Sequence, residues 1–148
     1  MPKLLAYIPC ENVLIDEFTK NASITAVISE IGIKIPQGFP VPSKGTFIIA
    51  MQWNIFSLWE WEEIDSNLEF ETKSQLVAQS GEVLFETNIT ESKKEPHKNF
   101  QRNIDRITGF PIWVSGRVEL RLMFRVKGSG EFLQRASYPI LVIYGNVQ

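Results

Sequence analysis

The sequence predicts an all-β, mainly antiparallel domain of about eight strands, folded as a two-sheet sandwich. Three observations point there. Apolar and polar residues alternate with a period of two in several segments, the pattern of strands with one dry and one wet face. Residues that favour turns punctuate these segments at short intervals. No strand–helix–strand rhythm of the kind that builds a parallel sheet is present. One-sided alternation and unequal loops favour a sandwich over a closed barrel, and a Greek-key, immunoglobulin-like topology is compatible with both. At 148 residues the chain makes one domain, 1–148, large enough to fold without a metal or disulfide staple.

In chain order, an apolar strand opens the sequence and ends at Cys10-Glu11. Ile24, Ala26 and Ile28 share one parity, and Ile31, Ile33 and Ile35 share the other. A slip of one residue sends every later side chain to the opposite face, so a bulge or break is expected near Ser29-Glu30. Pro36 to Gly45 holds three prolines and a glycine at each of positions 38 and 45, which forbids regular pairing and predicts a loop. Residues 46–53 read as a buried strand with Phe47, Ile49, Met51 and Trp53 on one side and Ile48 and Ala50 on the other. Trp53 to Ser66 reads as a short helix or an aromatic loop.

Leu68, Phe70, Thr72, Ser74 and Leu76 alternate with Glu69, Glu71, Lys73 and Gln75. Ser80-Gly81 makes the turn, and Val83 and Phe85 continue the inner face, with Leu84 marking a covered patch on the outer one. Glu91 to Arg106 reads as an exposed loop followed by a stretch of no clear period. Val118, Leu120, Leu122 and Phe124 face the core, opposite Arg117, Glu119 and Arg121. Gly128-Ser129-Gly130 then turns the chain back into Phe132 to Ile143, a hairpin. Tyr138 to Tyr144 is apolar and uncharged, so it belongs at the centre of a sheet or under another chain, with Pro139 at the start of its strand.

The whole chain resembles a family of small uncharacterised prokaryotic β-sandwich proteins. The residues that carry the resemblance are Cys10-Glu11, Asp16 and Ser23-Ile24-Thr25, then the proline-rich loop and Trp53. Leu76 to Gly81, Val83-Leu84, Gly116 and Tyr138-Pro139-Ile140 complete it. Phe56 to Asp65 is longer and more aromatic than that pattern. The resemblance implies the sandwich fold and no activity.

Charge and motif content exclude several functions. A net charge of −2 with scattered Lys and Arg gives no field for nucleic acid. No segment has the ~18 apolar residues that span a bilayer. The opening apolar run is too short for an export signal, and a lone cysteine suits a reducing compartment, so a cytoplasmic location is expected. Asn21-Ala22-Ser23 and Asn88-Ile89-Thr90 are read there as chance sequons. Cys10 and His97 are the only thiol and the only imidazole, and Cys10 reads as packing. Glu60, Glu62, Glu63 and Asp65 lack calcium-loop spacing and read as a solvating cluster. Gly128-Ser129-Gly130 lacks the spacing and lysine of a phosphate loop. No catalytic residue, metal ligand or cofactor is therefore assigned, and an enzyme is not expected.

The aromatics are the sharper signal. Trp59 and Trp61 share a face of an extended chain, with Phe56 nearby. Exposed, they would form a ligand or partner surface; buried, they would cap the core. The expected function is a non-catalytic interaction module that binds a protein or a second copy of itself. The alternative is a carbohydrate-binding module that stacks sugars on the same tryptophans.

Overall fold

In a computed structural model, residues 1–38, 47–112 and 116–146 are described. They form ten strands and one 3-10 turn: β1 (Lys3–Ile15), β2 (Ala22–Val27), β3 (Glu30–Ile35), β4 (Phe47–Glu60), the 3-10 turn Glu63–Asp65, β5 (Glu69–Ala78), β6 (Val83–Glu86), β7 (Thr90–Lys93), β8 (Phe100–Ile112), β9 (Gly116–Val126) and β10 (Leu133–Asn146). Sheet A has the order β2-β1-β4-β8 and is antiparallel. Sheet B has the order β3-β10-β9-β5-β6, with β7 also on β5, and is antiparallel except for the parallel β3–β10 pair. The all-β sandwich is thus observed. Neither order is the ABED/CFG arrangement of an immunoglobulin constant domain.

The parity switch near Ser29 has a clear cause. β2 ends in sheet A and β3 begins in sheet B, so the chain changes sheets between Val27 and Glu30. Ile28 and Ile31 are both buried, each facing the core from its side of the crossing. The hairpin β9–β10 follows its alternation: Val118, Leu120, Leu122 and Phe124 are buried, Arg117 is exposed, and Glu119 and Arg121 are half-buried. Phe70, Thr72, Ser74 and Leu76 are likewise buried on β5. Ser80-Gly81 lies in the turn as expected, with Gly81 at φ +93.

Several expectations need correction. Trp53 to Glu60 is neither helix nor loop but the second half of β4, because Trp53, Ile55, Ser57 and Trp59 alternate inward. Glu91 to Arg106 contains most of β7 and the first half of β8, where both faces of the strand carry polar residues and no period shows. Val83 is exposed, because a bulge between Leu76 and Val77 shifts the β5–β6 register; Leu84 and Phe85 pack partly on the core instead. Ile48, on the outer side of β4, is exposed. The Phe47 side chain, Trp113 and most of the loop 36–45 lie outside the described residues.

β10 lies between β9 and β3 in sheet B, pairing with β9 over Leu133–Val142 and with β3 over Leu141–Asn146. Pro139 sits within that strand and not at its start. The Leu141 N–H donates to Ser29 O on the β3 side at 2.9 Å. Backbone N–H groups alternate direction along a strand, so the nitrogen of Pro139 points the same way, just before β3 begins. The missing N–H therefore costs no ladder bond.

Candidate functional site

The open flank of the sandwich lies between β8, at the edge of sheet A, and the β6–β7 segment of sheet B. Gln101, Asn103, Asp105 and Ile107 of β8 point inward, in register with Trp59, Ser57, Ile55 and Trp53 of β4. The first three belong to a polar belt across the core, and Ile107 to the apolar core beside it. The Tyr7 hydroxyl donates to Ser74 Oγ at 2.8 Å, and the Ser74 N–H donates to Thr87 Oγ1 at 2.8 Å. The indole N–H of Trp59 donates to Ser57 Oγ at 3.2 Å, and that of Trp61 to Gln101 Oε1 at 3.1 Å. The Gln101 amide donates in turn to Ser92 Oγ at 2.9 Å and Asn103 Oδ1 at 3.1 Å. Asn103 Nδ2 is buried with no partner among the described residues. Burial pushes the Tyr7 phenol up; its bond to Ser74 works the other way and the Asp105 charge adds to the rise.

Asp105 ends this belt. It is half-buried, and burial pushes its carboxyl above the ordinary value. Among the described residues it has no hydrogen-bond or ion-pair partner. It opens into a cleft of about 420 Å³ with Thr87, Asn88 and Thr90 on the facing wall and Phe85 at its base.

The backbone of β8 defines the edge of this cleft. The Trp61 N–H donates to Asn99 O at 2.7 Å, and the β4–β8 register continues from that pair without a shift as far as Gln52–Thr108. Gln101, Asn103 and Asp105 therefore turn their N–H and C=O groups toward β4. Arg102, Ile104 and Arg106 turn theirs away from it. No described strand pairs with that side, so β8 presents a free edge.

Of the two roles the sequence left open for the tryptophans, an exposed surface and a place in the core, the structure shows the second. Trp59 is 0% and Trp61 4% exposed, and both pack against Phe70, at ring-centroid distances of 5.2 and 5.0 Å. Alternation placed the two on one face correctly, but that face is the inner one. Phe56 is 4% exposed on the opposite side of β4. There β1 leaves β4 after Cys10, and the β1–β2 hairpin crosses the outside of sheet A. Glu11, Asn12 and Val13 share a groove with Arg106, Ile107 and Thr108, and the Arg102 guanidinium donates to the Lys20 carbonyl near the hairpin's tip. Val13 and Ile24, paired with each other across this hairpin, are half-buried. Phe18, in the turn, is 94% exposed.

Cys10 is buried where β1 bends, and burial pushes its thiol up. His97 is exposed in the loop between β7 and β8, at φ +64. The Asp65 carboxylate is buried and accepts the Glu62 N–H at 3.1 Å, closing the 3-10 turn, while Glu62 and Glu63 are exposed. No group of His, Cys, Asp and Glu suited to a metal occurs among the described residues.

Two consequences are measurable. A thiol reagent should label Cys10 slowly in the native protein and rapidly after unfolding; fast native labelling would contradict its burial. For Asp105 the folded carboxyl titrates above its unfolded value. Between the two values the native state holds more proton than the unfolded chain, so this residue makes stability fall as pH rises through that interval. Asp105→Asn removes that contribution. The stability difference between mutant and wild type should grow in favour of the mutant from acid to neutral pH. A difference independent of pH would contradict the burial of this carboxyl.

No protein-family model matches the chain, and no curated protein matches it. No helix among the described residues is long and apolar enough to cross a membrane.

Proposed function

We propose that this domain is a non-catalytic binding module that takes a protein segment as an added strand along the free edge of β8. The single observation behind the reading is that edge: a 13-residue strand with, among the described residues, a hydrogen-bonded neighbour on one side only. Unpaired N–H and C=O groups in a row are a template for another chain, and main-chain bonds then supply affinity while alternate side chains supply selectivity. The half-buried state of residues 101–105 leaves that stretch within reach of a partner. A foreign chain and a second copy are both protein partners of this kind. With Trp59 and Trp61 in the core, the carbohydrate reading loses the rings on which it depended. An unpaired, buried Cys10 suits a reducing compartment such as the cytoplasm.

The test uses backbone hydrogen exchange in the presence of short blocked peptides that alternate threonine and valine. Binding at the edge protects the amides of Arg102, Ile104 and Arg106. Arg106→Pro removes one outward N–H without touching the β4 ladder and should weaken that binding, whereas Arg106→Ala should not. Peptide binding that leaves those amides unprotected would overturn the reading.

A further inference from the structure

Asp105 gives the edge a preference. We infer that the segment added to β8 is basic, an extended chain that sets a lysine or arginine opposite Asp105. This rests on strand addition at β8 and specifies its partner.

An antiparallel strand on the free edge would exchange hydrogen bonds with Arg102, Ile104 and Arg106. Asn103 and Asp105 would then occupy the non-hydrogen-bonded sites, where directly opposed side chains approach most closely. The residue opposite Asp105 therefore meets its carboxylate at short range, on the inward face, beside Ile107 and the cleft wall of Thr87 and Thr90. That carboxylate has no partner of its own among the described residues. An apolar strand docked there would strip water from an unpaired charge, which is costly; a cation would pair with it instead. An inward charge on an edge strand is also a device against indiscriminate pairing, so the feature that rejects an apolar strand admits a basic one.

A second copy cannot supply the cation by pairing β8 with β8 about a twofold axis. Opposed residues in such a pair share a face, so Asp105 would meet an inward residue of the same strand. The inward set between positions 101 and 107 is Gln101, Asn103, Asp105 and Ile107, none of them basic. The charges that oppose a basic partner lie elsewhere. Arg102 and Arg106 project from the other face of sheet A, Arg102 toward the Lys20 carbonyl and Arg106 exposed, where solvent and salt screen them. Glu86 lines the same cleft, but its carboxylate is bonded to Lys73 at 3.1 Å and Gln75 at 2.6 Å.

The experiment measures binding of blocked threonine–valine peptides that differ only at a central lysine, glutamine or glutamate, together with amide exchange along β8. The lysine peptide should bind about tenfold tighter than the glutamine one, the scale of one charge-assisted contact, with glutamate weakest. Asp105→Asn should abolish that preference, so that the lysine, glutamine and glutamate peptides bind alike. Equal affinities with β8 amides still protected would overturn the inference and leave strand addition standing. A lysine preference that survives Asp105→Asn would overturn it too, since the charge recognised would lie elsewhere. Protection that rises with protein concentration alone would make a second copy the occupant and likewise overturn it. No protection by any peptide would remove both readings.

Discussion

Replacing Phe70 by alanine should cost about 3–5 kcal/mol, the range for a large aromatic truncated in a core that cannot collapse around the loss. Phe70 is 0% exposed on β5 and joins the two sheets. Its ring meets Trp59 at 5.2 Å and Trp61 at 5.0 Å from sheet A's side, and Phe124 at 5.1 Å within sheet B. Removing it takes a packing partner from both tryptophans, leaving Trp59 only its more distant contact with Phe124 at 5.9 Å, and neither can move without breaking its indole bond to Ser57 or Gln101. Denaturant melts measure the loss. A cost below about 1 kcal/mol would mean that this aromatic cluster is not the dry end of the core.

Leu122→Ala should cost about 2–5 kcal/mol by the same cavity argument. Leu122 is buried on β9, the strand between β5 and β10, opposite Ser74 on one side and Ala136 on the other. Both neighbours are small, so no large side chain beside it can swing in to fill the space. A loss under about 0.5 kcal/mol would reverse the inward parity of β9. Phe70→Ala probes the contact between the sheets and Leu122→Ala the middle of sheet B. The two together test the sandwich more strictly than either alone.

Some of this architecture is legible in the sequence, and the reasons differ from element to element. β9 is legible because its outer face is polar and its inner face apolar, so period two appears directly. A break between β2 and β3 is legible because Ile24, Ala26 and Ile28 share one parity and Ile31, Ile33 and Ile35 the other; that the break carries the chain from one sheet to the other is not. β8 is not. Its inward residues Gln101, Asn103 and Asp105 are as polar as Arg102 and Arg106 on the outside, since they build the polar belt and not the dry core. The feature that makes β8 of interest is the same one that hides it from a periodicity argument. Trp59 and Trp61 fail in the opposite way. Alternation puts them on one face, and nothing in the strand itself says whether that face is covered; the answer depends on Phe70 of β5 and Phe124 of β9, both on the other sheet. Phe56 is harder still, since it is buried on the face of β4 opposite the tryptophans, and alternation gives no local signal that both faces are covered.

The most direct test of the central claim is native-state amide exchange along β8 in the dilute, unliganded protein. If the edge is free, the amides of Arg102, Ile104 and Arg106 exchange rapidly while those of Asn103, Asp105 and Ile107, bonded to β4, exchange slowly. Uniform protection from Arg102 to Ile107 would show that the edge is already covered and would contradict the account.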